Sequence, residues 1–162
     1  MVGEMNKQVF QPSSSKLGGL DAKYMVLIAY FGGSILGLIP GARYVVWLIP
    51  LIIFFVDKEN KFIAFHAMQA LLLQVVAVII YIVLAIILAV TIASAAVSVA
   101  TLNPYAFSAG FGASLAITAI IAVVGIVIFI LAIIAAVKGY KYEIYEIPLV
   151  GKQAEKIVFK TA

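Results

Sequence analysis

Cysteine is absent from this 162-residue chain, and histidine occurs once, as His66. The first absence excludes a disulfide framework, a thiolate metal site and a cysteine nucleophile. The second leaves one imidazole to any metal centre. The seven acidic residues stand mostly in segments flanking apolar runs, which makes a poor ligand set. No serine–histidine–acid spacing, metal-ligand repeat or phosphate-binding glycine loop occurs. Charge is scarce as well, at 11% of residues, where soluble domains carry about a quarter. The sequence therefore predicts no enzyme, no metal and no cofactor.

What fills the chain instead is apolar. The hydrophobic share is 65% and the mean hydropathy is +1.20. A water-soluble fold of this size would have no polar surface left. The solvent for most of the chain is lipid. Residues 1–23 are polar and the first long apolar run starts at Tyr24, unlike a cleaved signal peptide. The first span is expected to act as its own insertion signal.

Four apolar stretches follow. Residues 24–39 end at Pro40 and Gly41, and residues 44–56 carry Pro50, expected to kink that span. The second stretch is short for a hydrocarbon layer of about 30 Å. Two crossings is the preferred reading of this pair, and a re-entrant hairpin is the competing one. Residues 62–102 are uncharged. As one helix they would reach about 60 Å, so the helix must begin outside the bilayer core, end outside it, or break near 93–102. The fourth stretch is 111–137. With four crossings, Lys7, Lys16, Lys23, Lys58, Lys61, Lys138, Lys141, Lys152, Lys156 and Lys160 share one side, and Arg43 stands alone on the other. That bias places both termini in the cytoplasm of a multi-pass cell-membrane protein. It also accounts for the net charge of +4 without nucleic acid.

The fold class expected is all-α: a polytopic, four-helix transmembrane bundle with amphipathic ends. A polar arm spans 1–21, the transmembrane domain 22–140 and an amphipathic surface tail 141–162. In the tail, Val150, Ala154, Ile157 and Val158 share one helical face, and Lys152, Lys156 and Lys160 fall largely on another. The tail is expected to lie on the membrane or against a partner.

The stretch "DKENKFIAFHAMQA", residues 57–70, links two apolar runs. Asp57 is expected to cap the third helix, with Glu59 at the same positive end, while Lys58 and Lys61 reach head groups. His66 and Gln69 share a helical face, with Gln74 further along. These three are candidates for a polar path or interface, because polar groups in lipid face a protein interior or a water cavity. The plainer reading, preferred here, is that His66 bonds its neighbours at head-group depth. Gly33, Gly37 and Gly41 recur at four-residue spacing, a helix-packing pattern. Ser94 and Ser98 belong to a similar surface with Ala93 and Ala96.

Two signatures meet in this chain. The first is Phe62, Phe65, His66, Ala67 and Gln69 after an acidic and basic turn. The second is Tyr145, Ile147, Pro148, Gly151, Ala154 and Lys156. Together they resemble a family of small four-helix membrane proteins of archaea and bacteria. That family is similar to the twenty-kilodalton membrane subunit of the chloroplast inner-envelope protein-import translocon. The resemblance spans roughly residues 22–160. It implies a four-helix domain within a multi-subunit assembly. The function expected is a non-enzymatic accessory or scaffold subunit of a membrane complex, translocon-like in one version. The alternative is a homo-oligomeric channel or carrier for small solutes. The partners expected are the lipid bilayer and other membrane subunits, or a second copy of the chain.

Overall fold

The computed structural model describes residues 9–36, 38–41 and 45–159. Gly37, Arg43, Lys7 and Lys160, named above, lie outside the described residues. Among these the chain is helical, with isolated bridges in place of strands. We number five helices: α1 Ala22–Leu36, α2 Leu48–Val56, α3 Lys61–Ala100, α4 Pro104–Tyr140 and α5 Gly151–Phe159. α3 and α4 are long and apolar enough to cross a membrane. α1 and α2 reach only about 22 and 14 Å, so four full-length spans are not what the helices provide.

The chain divides into two compact units. One takes Met1–Gln74 and Ile130–Ala162, the other Val75–Phe129. The start of α3 and the end of α4 fall with the arm and the tail.

The second unit is a helical hairpin. α3 runs unbroken through the small residues at 93–100. Leu102 takes the left-handed turn at φ 52. Asn103 then caps α4, its Oδ1 accepting the Ala106 N–H at 3.1 Å, with Pro104 at the first position, where no amide donor is needed. The two helices approach closely where a Cβ on Gly110 would lie 3.0 Å from both Ala95 N and Ser94 Oγ. Ser114 Oγ reaches Thr91 Oγ1 at 3.2 Å. Ser98 bonds the Ser94 carbonyl at 2.8 Å, so these hydroxyls are satisfied within the hairpin. Val78, Ile79, Ile82, Ile86, Val123 and Ile126 stay exposed, the surface that lipid would cover.

In the first unit, α1 begins at Asp21, whose carboxylate accepts the Lys23 N–H at 3.1 Å. Its centre, Ile28–Gly32, is a π-helical turn, a local widening that changes where side chains point. α1 touches α2 where Gly32 faces Ile49, and the turn before α2 where Gly33 faces Val46. Gly41 has φ +87 and open space where a Cβ would stand, so its use is a turn rather than helix packing. Pro50 falls in the first turn of α2, not at the centre of a longer helix, so it causes no kink.

Candidate functional site

The first three turns of α3 are buried on every side. From Phe62 to Ala70 each residue is buried, where a surface helix would bury one stripe. The cover comes from Phe10 of the arm, Tyr30 of α1, Gly139 near the end of α4, Tyr142 and Ile147 after it, and α5. His66 and Gln69 both have 0% exposure.

Gln69 is the hub. Its Nε2 donates to Tyr30 OH at 2.8 Å and to the Tyr145 carbonyl at 3.0 Å. Its Oε1 accepts the Ile147 N–H at 3.1 Å. One amide thus holds α1, α3 and the segment after α4, and leaves no donor proton unused. The π-helical turn in α1 carries Tyr30 into this position. Gly151 closes the other side, since a Cβ there would stand 2.8 Å from Gln69 Oε1 and 2.6 Å from Glu146 Cα. Only a hydrogen fits. The two sequence signatures therefore meet at Gln69.

His66 packs edge-on against Phe62, Phe65 and Tyr30, with ring centroids at 4.8, 5.4 and 6.1 Å. Its Nδ1 lies 3.5 Å from Tyr30 OH, at the outer limit of a hydrogen bond. Nε2 makes no hydrogen bond of normal geometry, although the Glu143 backbone is near enough to interact. Gly139 lets α4 close on the ring, because a Cβ there would lie 3.1 Å from His66 Cε1 and 2.5 Å from Val26 Cγ1. Gln74 makes no hydrogen bond to this pair, and its Oε1 has no partner among the described residues. The structure thus joins His66 and Gln69 but leaves Gln74 apart. Clefts of about 590, 370 and 290 Å³ are lined by other residues.

The charged turn at 57–61 has a different use from the one expected. The Asp57 carboxylate does not cap α3. It accepts Ser15 Oγ–H and the Lys16 N–H, the latter at 2.7 Å, and thereby fastens the arm. The cap is Asn60, whose Oδ1 accepts the Ile63 N–H at 3.3 Å. Asn60 also donates to Ser13 Oγ at 3.0 Å. Lys61 Nζ donates to the Val158 carbonyl at 2.9 Å, so it closes the carboxyl end of α5 instead of reaching a head group. Glu59 pairs with Lys16 at 2.6 Å, which holds its carboxyl below the usual range, and Lys58 is exposed.

The arm is fastened at its other end too. Phe10 N–H donates to the Tyr142 carbonyl at 2.8 Å, and its ring lies 5.5 Å from that of Phe62. Tyr142 OH donates to Asp21 Oδ1. That bond, with lesser help from Lys23, holds the Asp21 carboxyl below its ordinary value. Burial, and then the same bond, push the Tyr142 phenol up to about 12. Beside them Lys23 Nζ lies 5.1 Å from the Tyr24 ring centroid and 5.5 Å from that of Tyr140, a basic and aromatic belt of the kind found at membrane interfaces.

The tail helix buries Gly151, Ala154, Glu155 and Val158 against this unit. These residues of its apolar face are spent within the chain. Ile157 departs from that face and stays exposed. Lys152, Lys156 and Pro148 are exposed as well.

Tyr30, Ser15, Asp21, Tyr142 and Gly139 were not singled out from sequence. The only local signal was a phenol inside the first apolar run. No group of three or more histidine, cysteine, aspartate or glutamate residues able to hold a metal occurs among the described residues. The site as built is a bolt: a polar junction in which Gln69 joins α1, α3 and the segment after α4, with the arm, the end of α4 and α5 packed around it.

The model of the MamF/MmsF family, the magnetosome magnetite crystal formation proteins, matches residues 21–153. The chain belongs to that family. The match includes every residue of the Gln69 junction and leaves the arm before Asp21 outside. No curated protein and no solved structure matches the chain. These comparisons give no link to the chloroplast translocon subunit, and the small membrane family that the sequence resembles is corrected to this one.

Proposed function

With membership of that family as the premise, we propose that this chain is a non-enzymatic structural protein of a magnetosome membrane and serves magnetite crystal formation from within the bilayer. α3 and α4 cross as a hairpin. α1 and α2, too short to cross singly, enter the same bilayer as a re-entrant pair. Both termini then share one side, the cytoplasmic side by the lysine bias. Its partners are lipid and other magnetosome membrane proteins, or further copies of itself.

The observation that carries this reading is the closed state of the junction. Gln69 spends both amide protons and its oxygen on the chain's own groups. A substrate or conducted ion would need polar groups open to it. The channel alternative draws no support from His66 and Gln69, because both have 0% exposure. A buried, satisfied polar hub instead fixes one arrangement of several segments, which is what a scaffold requires.

The test is deletion in a magnetosome-forming cell, with imaging of the crystals and immunolocalisation of the complemented protein. The expected result is altered crystal number or dimensions, restored by the wild-type chain located in the magnetosome membrane. Unchanged crystals, or a protein confined to another membrane, would sink the proposal.

A further inference from the structure

The turn between the end of α4 and α5 is bracketed by two residues that both touch Gln69. Ile147 N–H bonds to its Oε1, and Gly151 packs against the same atom. The intervening Pro148–Val150 turn therefore sits at the level of Gln69 on α3. Gly139 is level with His66, and the Tyr24–Tyr140 aromatic pair, centroids 6.3 Å apart, follows directly on that side. Gln69 stands three residues, about 4.5 Å, farther along α3 than His66, away from its charged end. So after leaving α4 the chain turns back and dips past the aromatic belt. α5 then returns along α3, bringing Phe159 to 6.2 Å from Phe65.

The tip of that dip is apolar and uncovered. Leu149 is 83% exposed and holds φ 73, a left-handed conformation costly for a branched residue. A water-facing turn would favour glycine or asparagine there. The exposed positions that follow on α5 are Lys152, Gln153, Lys156 and Ile157, which share one face of that helix. Apolar residues thus frame two lysines. Glu155, the acidic residue of α5, is on the buried face.

We infer that Pro148–Leu149 is a wedge inserted into the bilayer interface, and that Lys152 and Lys156 above it bind anionic lipid head groups. The occupant is a lipid surface because the apolar tip lies deeper than an interfacial aromatic pair and the cations lie on its outward side. Lysines near an anionic surface add attraction while their stems stay in contact with apolar matter. The inference rests on the membrane-inserted reading above.

The absence of cysteine makes single-site labelling direct. Leu149→Cys, Gln11→Cys and Ile86→Cys variants of the full chain carry a polarity-sensitive dye. They are placed in nanodiscs of phosphatidylcholine, with or without phosphatidylglycerol and nitroxide-labelled lipid. The expected result at 149 is a blue-shifted emission quenched by shallow nitroxide, strengthened by the anionic lipid, with position 11 unquenched. Lys152→Glu with Lys156→Glu removes the anionic-lipid dependence and leaves the fold intact by circular dichroism. A label at 149 that emits as in water overturns the wedge, and an unchanged lipid dependence in the lysine variant overturns the head-group contact. Quenching at 86 without quenching at 149 refutes this inference alone. Loss at both positions refutes the membrane reading as well.

Discussion

Gln69 Oε1 accepts the main-chain N–H of Ile147 at 3.1 Å, across 78 residues of chain. This bond and the two made by Gln69 Nε2 join the start of α3 to the segment that follows α4. The junction is local in space and remote in sequence, so it is the first place to test.

Gln69→Ala strands the Ile147 N–H, the Tyr145 carbonyl and one bond of Tyr30 OH. Leaving a buried polar group unpaired costs about 1–3 kcal/mol. The expected loss is about 3 kcal/mol or more, read as a lowered melting temperature in detergent. A melting temperature within a degree of wild type would show that water replaces the amide.

Gly151→Ala and Gly112→Ala form a matched pair. The first places a Cβ 2.6 Å from Glu146 Cα, where backbone must shift, and the second meets nothing within 4 Å. Overpacking costs about 1–3 kcal/mol, so Gly151→Ala is expected to destabilise. Gly112→Ala is expected to be neutral, or to gain up to about 1 kcal/mol from helix propensity. Equal melting temperatures for the two variants would contradict this packing.

The arm is held by Asp57. Asp57→Ala leaves Ser15 Oγ and the Lys16 N–H without their acceptor, at about 1–3 kcal/mol for each buried group. Limited proteolysis within 9–21 is expected to accelerate. Lys16→Ala removes only an exposed ion pair, worth about 0–1 kcal/mol, and should leave the cleavage rate unchanged. Equal acceleration in both variants would assign the retention to the ion pair instead.

Stability should fall at both ends of the pH range through Asp21 and Tyr142. The lowered Asp21 value gives a contribution present above the ordinary aspartate pKa of about 3.9 and lost as pH falls through the folded value. The raised Tyr142 value works in the opposite sense. Its contribution is full below the ordinary phenol value of about 10 and is lost as pH rises toward about 12. Absorbance titration of the phenols should show a step toward about 12 whose amplitude Tyr142→Phe lowers by one tyrosine. A variant whose titration matches wild type in amplitude toward about 12 would reassign that step to another tyrosine.

Much of the fold was legible because long uncharged runs obey a simple rule. Between Lys61 and Lys138 no residue is charged except through His66, and every backbone group in such a run must be satisfied inside the segment. That dictates long helices, and α3 and α4 are the result. The shorter first pair was harder to read. Leu48 starts α2 inside its apolar run, which moved Pro50 from a central kink to the first turn. The site was half legible: His66, Gln69, Tyr145 and Gly151 stood out as motif residues, but their common purpose did not.

By itself the sequence determined the helical class and the two runs apolar and long enough to cross a membrane, because these follow from composition and from unbroken apolar length. Tertiary structure alone decided the pairings. Asp57 looks like a helix cap in one dimension, yet Ser15 and Lys16 reach its carboxylate first. Lys61 looks like a head-group ligand, yet the Val158 carbonyl of α5 lies beside it. Such choices turn on which remote donor arrives within hydrogen-bond distance, and no periodicity in the chain encodes that distance.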